Sequence, residues 1–303
     1  MMTFGHCLLL KIAYTEKMEP KYLIRFTYVI LMGLVVAACT TKNSLPAEPT
    51  PFSLTTPGGK TWELVWSDEF DTPGLPDPAK WDYEVGYIRN NELQYYTRAR
   101  SENARVENGN LVIEAIKETY EGANYTSASL ITKSKASWAY GRIEARVNIP
   151  EGRGMWPAIW MLGENIDEVG WPDCGEIDIM ENVGFEPDTI HGTVHTGAYN
   201  HVSGTAQGAS ISVPEAGRDF HIYAIEWDSL RIDFFVDDRY YFTFANDGKG
   251  EASWPFDRNA YLILNIAVGG AWGGQQGVDD EIFPQQMLVD YVRVFKTSGE
   301  ETK

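Results

Sequence analysis

Three carboxylates crowd the short stretch from residue 175 to 182, at Glu176, Asp178 and Glu181. The stretch is typical of a β-strand, in which residues i and i+2 share a face, so Glu176 and Asp178 point one way and the isoleucines beside them point the other. A regular strand would send Glu181 to the opposite face. One extra residue just before Glu181 would form a β-bulge and return its side chain to the acidic face.

Carboxyl groups held this close repel one another and raise at least one pKa. A glycosidase uses such a set, because one carboxylate attacks the anomeric carbon while a carboxylic acid protonates the leaving oxygen. Retaining enzymes hold these two groups about 5–5.5 Å apart. We place Glu176 and Glu181 roughly 6–7 Å apart at the backbone, so that their side chains can converge. We expect Asp178, between them, to share a proton with Glu176.

Two other interpretations of this segment stay open. It could be the solvated acidic face of an amphipathic strand, in which the carboxylates have no chemical task. It could also be a metal site, although no histidine lies within the segment at ligand spacing.

The rest of the folded chain predicts strands rather than helices. Apolar or alternating runs bounded by Gly, Pro, Asn and Asp recur. The clearest are Leu111–Ala115, Gly141–Val147, Arg231–Val236, Arg239–Phe244, Tyr261–Val268 and Met287–Phe295. Asp237 and Asp238 join two of these runs as a hairpin. Many strands with few helices indicate an all-β sandwich or barrel.

The N-terminal residues 1–38 predict an export signal. Lys21 and Arg25 precede the apolar run 26–38, which is shorter than the roughly 20 residues that a membrane span needs. The run ends at Cys39 after small residues, as in a bacterial lipoprotein signal whose cysteine is lipidated. The alternative is a signal cut elsewhere, with Cys39 incidental. Residues 1–17 look like no part of a signal, so the start could be Met18 as well as Met1 or Met2.

Composition divides the remaining chain into three parts. Residues 39–57 are rich in Thr, Ser and Pro and predict a flexible tether. Residues 58–297 predict one folded domain, and residues 298–303 a tail. If Cys7 is removed and Cys39 lipidated, Cys174 is the remaining cysteine, so no disulfide framework is possible. We expect Cys174 to be a free thiol packed at the floor of the site.

The charge balance excludes some classes of partner. The chain has 25 Lys and Arg against 43 Asp and Glu, a net charge of −18. So acidic a surface repels nucleic acid and sulfated polymers, and it fits a neutral substrate better. The sequence carries no signal of oligomerisation, and we expect a monomer.

Several motifs, in order along the chain, resemble glycoside hydrolase family 16, and within it the bacterial laminarinases, which are endo-β-1,3-glucanases. They are Trp66–Phe70, Asn90–Tyr96, Gly141–Arg146, Gly154–Gly163, Trp171–Glu176, His191–Thr196 and Val289–Val294. The resemblance implies a β-jelly roll of two curved antiparallel sheets with a substrate cleft on the concave face. It also implies retention of anomeric configuration without a catalytic cofactor. Met180 is typical of the bulged laminarinase branch.

The resemblance also implies roles for single residues. Glu176 matches the nucleophile, Glu181 the acid/base and Asp178 their electrostatic partner. The matching sugar-binding positions are Asn91, Arg142, Trp156, Trp160, His195, Trp272 and Trp138. Structural hydrogen bonding is the alternative for His195, and core packing is the alternative for Trp138. A structural calcium ion is implied at Glu69, the backbone of Gly109 and Asp290.

The expected activity is endo-hydrolysis of β-1,3-glucan, with mixed-linkage β-1,3-1,4-glucan also open. Alternatives are the same fold acting on agarose or carrageenan, a transglycosylase, and a non-catalytic lipoprotein that binds glycan at the cell surface. Thr40 stands where an Asp would signal retention in the inner membrane. We therefore expect a lipid anchor in the bacterial outer membrane, at its periplasmic face or the cell surface.

Overall fold

The computed structural model describes residues 52–56 and 59–297. The predicted signal, Cys39, most of the tether and the tail at 298–303 lie outside these residues. Ser53–Thr55, at the end of the predicted tether, pair with Thr61–Glu63 as antiparallel strands. The fold therefore begins a few residues before the expected start at 58. In the described ranges, no helix is long and apolar enough to cross a membrane.

Strands dominate the described chain, as the sequence predicts. In chain order they are β1 (Ser53–Thr55), β2 (Thr61–Asp68), β3 (Asp82–Tyr83), β4 (Gln94–Tyr96), β5 (Ala104–Glu107), β6 (Asn110–Tyr120), β7 (Ala123–Ser127), β8 (Ser129–Ile131), β9 (Gly141–Asn148), β10 (Met155–Gly163), β11 (Glu176–Glu181), β12 (Thr189–His195), β13 (Gln207–Ser212), β14 (His221–Trp227), β15 (Arg231–Val236), β16 (Arg239–Ala245), β17 (Ala260–Val268) and β18 (Gln285–Thr297). Helical structure among these residues is limited to α1 (Ile166–Val169) and a 3-10 turn at Asp280–Ile282.

The strands form two sheets. The larger has the order β16-β15-β14-β9-β18-β6-β7-β4, with β1, β2 and β5 added at its side. The smaller has the order β13-β12-β11-β10-β17-β8-β3. Neighbouring strands are antiparallel, apart from the β4–β7 pair. The predicted all-β sandwich is confirmed.

One apolar core joins the two sheets. It takes Ile143, Ala145 and Val147 from β9 of the larger sheet, and Ile177 and Ile179 from β11 of the smaller. Because side chains alternate along a strand, the residues between these point away from the core. Each sheet therefore has a second face on which polar side chains can gather.

The hairpin predicted at Asp237 and Asp238 is present between β15 and β16. Both residues have positive φ angles, 49° and 59°. A two-residue hairpin loop with φ positive at both positions matches the twist of the flanking strands, and Asp tolerates this conformation better than most residues.

The predicted bulge interrupts β11. Beside β10, Trp160 pairs with Asp178 and Ile159 pairs with Met180, so that Ile179 has no partner. Beside β12, the register also shifts between Asp178 and Glu181. Ile179 and Met180 are both buried in the core. The bulge therefore absorbs one residue on the core side and leaves Glu181 on the acidic face.

Candidate active site

The three acidic side chains of β11 open into one cleft over the outer face of the smaller sheet. The cleft has a volume of about 950 Å³, and Glu176, Asp178 and Glu181 all line it. Neighbouring strands supply further lining residues, namely Trp156 and Trp160 of β10, Thr193 and His195 of β12, and Tyr261 and Asn265 of β17. Loops add Trp171, His201 and Trp272. The structure thus brings together Trp156, Trp160, His195 and Trp272, as predicted.

The backbone separation of the two glutamates is larger than expected. Glu176 pairs with His195 of β12 and Glu181 pairs with His191, four residues away. At strand spacing this distance is about 13 Å, rather than 6–7 Å. The reason is that the three carboxylates occupy three successive positions on the acidic face, with Asp178 in the middle. The two glutamate side chains must lean over Asp178 to act on one bond.

An indole N–H holds each glutamate in place. Trp171 donates from Nε1 to Glu176 Oε2 at 2.8 Å. Trp156 donates from Nε1 to Glu181 Oε1 at 3.0 Å. Trp156 also packs edge-on against Trp272, with ring centroids 5.6 Å apart. The aromatic wall of the cleft therefore orients both glutamates as well as shaping the cavity.

His195 faces Glu176 and Asp178 across the β11–β12 pairing. Its Nε2 lies 3.4 Å from Asp178 Oδ2 and 3.7 Å from Glu176 Oε1. Its ring also lies 5.1 Å from the ring of His201. His195 therefore lies beside Asp178 at the end of the acidic row.

Burial is the main electrostatic influence on the acids. Together with the neighbouring charge of Asp178, it raises the pKa of Glu176 to about 8. Burial and the charge of Glu181 raise the pKa of Asp178 well above its ordinary value. Burial also raises the pKa of Glu181 to about 7, although the indole of Trp156 opposes the shift. The site therefore keeps protons at pH values where exposed carboxyls have lost theirs.

Arg142 does not reach the cleft, and its predicted role as a sugar ligand is wrong. It lies on β9 of the larger sheet and is 2% exposed. Its guanidinium donates to Glu144 at 2.8 Å, Glu226 at 3.4 Å and Asp238 at 3.0 Å. Because its neighbour Ile143 faces the core, Arg142 points to the far side of the larger sheet.

Two further predicted sugar ligands are placed elsewhere. Trp138 is buried in the core, with its ring 5.1 Å from that of Trp66. Core packing, the alternative to sugar binding for this residue, is therefore correct. Asn91 is exposed and does not line the cleft, whereas its neighbour Asn90 does. Both asparagines have positive φ angles, 57° and 52°. In this turn it is therefore Asn90, rather than Asn91, that lines the cleft.

A buried polar network behind Trp160 is absent from the sequence-based prediction. Trp160 Nε1 donates to Asn265 Oδ1 at 2.7 Å, and Asn265 Nδ2 donates to the hydroxyl oxygen of Tyr96 at 3.0 Å. The Tyr96 hydroxyl then donates to Glu92 Oε2 at 3.2 Å. Glu92 also lines the cleft, and burial raises its pKa. The available signal was Asn265, a polar residue within an otherwise apolar strand, which needs hydrogen-bond partners when buried.

Cys174 packs beneath the acids, in a cluster with Trp160 and Tyr261. It is a free, buried cysteine. Burial and the nearby Glu176 raise the pKa of its thiol to about 11. A thiol that stays protonated is a poor nucleophile, so the expected packing role agrees with the structure.

The residues expected to bind calcium lie far along the chain from the acids and have arginine partners. Glu69 accepts from Arg293 at 3.0 and 2.7 Å. Asp290 accepts from Arg146 at 2.8 Å. Gly109 has a φ of 75° in the turn before β6. Calcium would therefore compete with two guanidinium groups for these carboxylates.

Comparisons with known proteins show which family the chain resembles. Residues 91–293 match the model of the glycosyl hydrolases family 16. A beta-glucanase of Rhodothermus marinus is 56% identical over 288 residues, which cover 92% of this chain and 97% of that protein.

Two solved structures extend the comparison. The laminarinase from Rhodothermus marinus aligns with a TM-score of 0.77 at 61% identity, over 78% of this chain and 98% of that one. A non-specific endo-β-1,3(4)-glucanase, crystallised with a β-glucan oligosaccharide at its active site, aligns with a TM-score of 0.76 at 48% identity. That alignment covers 82% of this chain and 99% of the other. The two sheets are those of a β-jelly roll, and the predicted fold is confirmed.

The raised pKa of Glu181 predicts a stability that depends on pH. A carboxyl whose pKa rises on folding from 4.5 to about 7 stabilises the fold at low pH, and this contribution is lost as the pH rises through that window. Glu181→Gln should therefore be more stable than wild type at pH 8, by about 3 kcal/mol. Thermal unfolding at pH 4.5 and pH 8 measures the difference.

Glu102→Gln is the matched control, because that side chain is 57% exposed. It should leave the pH dependence of the melting temperature unchanged. An equal gain for Glu181→Gln at both pH values would mean that the titration of Glu181 does not cause the effect.

Proposed function

Because the chain belongs to the glycosyl hydrolases family 16, we propose that it is a retaining endo-glycosidase that hydrolyses laminarin-type β-1,3-glucan. The observation that carries this proposal is the placement of three acids on one strand face, in a cleft whose indoles orient both glutamates. Relatives named as a beta-glucanase and a laminarinase support the choice of substrate.

The first chemical step uses both glutamates. Glu176, as carboxylate, attacks the anomeric carbon and forms an ester with the sugar. Glu181, as carboxylic acid, gives its proton to the glycosidic oxygen, so that the leaving chain departs with a hydroxyl group. Burial raises the pKa of both glutamates, so the acidic row retains protons near neutral pH. Glu176 is the carboxylate when the proton that it shares with Asp178 lies on Asp178.

The second step reverses the roles. The ionised Glu181 takes a proton from a water molecule, which attacks the anomeric carbon and breaks the ester to Glu176. Two displacements at one carbon retain its configuration. Asp178 lies between the glutamates and can share a proton with Glu176. The shared proton lowers the charge repulsion between Asp178 and the two glutamates.

The cleft walls suit a neutral glycan. Trp156, Trp160 and Trp272 line the cleft, and the parts of their rings that reach it offer rigid apolar surface for the C–H groups of a sugar ring. Glu92 and Asn90 also line the cleft and offer hydrogen-bond partners to sugar hydroxyl groups. A relative described as non-specific for β-1,3(4)-glucan supports acceptance of mixed-linkage glucan as well. We treat the chain as a monomer, which stays a prediction.

Replacement of the nucleophile tests the proposal. Glu176→Gln should lower kcat on laminarin by about a thousandfold or more, because an amide cannot form the glycosyl ester. Binding should persist, since the side chain is nearly isosteric. New reducing ends would be followed on laminarin, barley mixed-linkage glucan, agarose and κ-carrageenan.

Glu102→Gln again serves as the control and should keep wild-type rates. Release from laminarin that needs Glu176 supports the β-1,3-glucanase. Activity on a galactan alone would contradict the substrate but keep the chemistry. Binding to laminarin without turnover would favour the glycan-binding lipoprotein instead.

The indole bonded to Glu181 predicts a shift in the pH profile. Its hydrogen bond lowers the pKa of Glu181, so Trp156→Phe should raise that pKa and keep the acid protonated to higher pH. The alkaline limb of kcat/KM should move up by roughly 0.5 pH units. Trp160→Phe is the matched control: it removes an indole from the same strand, but one bonded to Asn265. A limb that moves in the control and not in Trp156→Phe would exclude this coupling.

We propose further that a structural calcium ion binds through Glu69, the carbonyl of Gly109 and Asp290. Strands β2 and β6 both pair with β18. Glu69 follows the end of β2, Gly109 precedes the start of β6 and Asp290 lies in β18. This strand pairing supports the proposal, because oxygen donors are the ligands that calcium prefers. A chelator should lower the melting temperature by several degrees, and Asp290→Asn should remove this sensitivity. An unchanged melting temperature in wild type, with no metal found by elemental analysis, would end the proposal.

Attachment to the outer membrane through a lipid on Cys39 is also proposed, on the sequence pattern alone. Cys39→Ala should move the protein from the membrane fraction to the soluble fraction of a Gram-negative host. The same distribution for wild type and Cys39→Ala would contradict the lipid anchor.

A further inference from the structure

Three side chains at one end of the acidic row form a triangle of possible metal ligands. Glu176, Asp178 and His195 each present one ligand atom, and these atoms lie within 4.8 Å of one another. From His195 Nε2 the distances are 3.4 Å to Asp178 Oδ2 and 3.7 Å to Glu176 Oε1. Ligand atoms around a tetrahedral zinc ion, with bonds of about 2.0–2.2 Å, stand about 3.3–3.6 Å apart. Two edges of the triangle therefore already have nearly the length that such an ion requires.

The backbone holds this triangle in a fixed shape. Glu176 and His195 are direct partners across β11 and β12, and Asp178 is two residues along the same face. The bulge begins after Asp178, so it does not disturb the three positions. Glu181 lies beyond the bulge and outside the triangle. Ligands carried on paired strands need little rearrangement to bind an ion.

Two buried atoms at the triangle lack hydrogen-bond partners within the described part of the chain. Asp178 is 3% exposed, and its Oδ2, which faces His195, has none. His195 is 6% exposed, and its Nδ1 has none either. An unsatisfied buried carboxylate oxygen destabilises the fold, and a cation between Oδ2 and Nε2 would satisfy it.

We propose that Glu176, Asp178 and His195 bind one divalent transition-metal ion of the zinc and copper class, and that this ion inhibits the enzyme reversibly. Two carboxylate oxygens and one imidazole nitrogen occupy three positions of a tetrahedron. The fourth position faces the cleft, where water can complete it, as in open zinc sites. The bound ion holds Glu176 by its carboxylate and blocks the attack on the sugar. The inference rests on the proposed function, because inhibition follows from the role of Glu176.

The ligand set also predicts which ions bind. An imidazole with two carboxylates favours Cu²⁺ and Zn²⁺ over Mn²⁺. Mg²⁺ and Ca²⁺ prefer oxygen ligands alone and should bind the triangle weakly. Because His195 Nδ1 has no partner in the described residues, the outer hydrogen bond that strengthens many histidine–metal bonds is missing. We therefore expect affinity in roughly the micromolar range.

The first test measures binding without any substrate. Zn²⁺ would be titrated calorimetrically into the full, metal-free chain, and one ion per chain should bind. His195→Gln should weaken this binding by roughly tenfold or more. His191→Gln is the matched control, because His191 lies on the same strand but opposite Glu181, and it should keep wild-type affinity. Ca²⁺ titrated in place of Zn²⁺ reports separately on the site proposed for calcium.

The second test measures inhibition. Zn²⁺ should inhibit laminarin hydrolysis, excess laminari-oligosaccharide should oppose the inhibition, and a chelator should reverse it. No zinc binding up to roughly millimolar concentration, or equal binding by His195→Gln and wild type, would overturn the inference. Zinc binding that needs His195, in a protein that cleaves no glucan, would keep the metal site and remove the proposed function. Hydrolysis that needs Glu176, without zinc binding, would do the reverse.

Discussion

The β-bulge at Ile179 is the local distortion on which the acidic site depends. The core accepts Ile177, Ile179 and Met180 together, although a regular strand could turn only alternate residues inward. If the same residues formed a regular strand without the bulge, either Glu181 would enter the core or the register beyond it would slip. Pairing with β10 and β12 on both sides prevents the slip, because a shift by one residue would reverse every side chain in the strand.

Holding three acids on the cleft face is electrostatically unfavourable, and the hydrogen bonds of the site offset only part of this free energy. Burial and mutual repulsion raise the pKa of all three acids. The indoles of Trp171 and Trp156 each donate one hydrogen bond to a glutamate, and His195 faces Asp178 and Glu176. Sites that destabilise a fold in this way persist when the surrounding structure holds them in place. The two paired sheets provide that constraint.

The sequence allowed the fold and the face of each acidic side chain to be predicted, because both follow from strand periodicity. Periodicity also places the side chain of Arg142 on the polar face of β9. It does not state which sheet β9 joins, and the pairing of β9 with β14 and β18 puts Arg142 on the wrong side of the molecule. Such pairings depend on contacts distant in sequence. The same limit applies to Trp138, since an aromatic residue beside a turn can face either the core or a cleft.

The position of the bulge also separates Glu181 from the other two acids of the row. Glu176, Asp178 and His195 lie on the regular part of the β11–β12 pairing, close enough to share a proton or to hold an ion. Glu181 lies beyond the irregularity and has its own hydrogen-bond donor, Trp156. A nucleophile benefits from a neighbour that buffers its charge, whereas an acid/base must exchange its proton with substrate and water alone. The bulge in β11 therefore keeps Glu181 on the acidic face, with its own hydrogen-bond donor and outside the cluster of Glu176, Asp178 and His195.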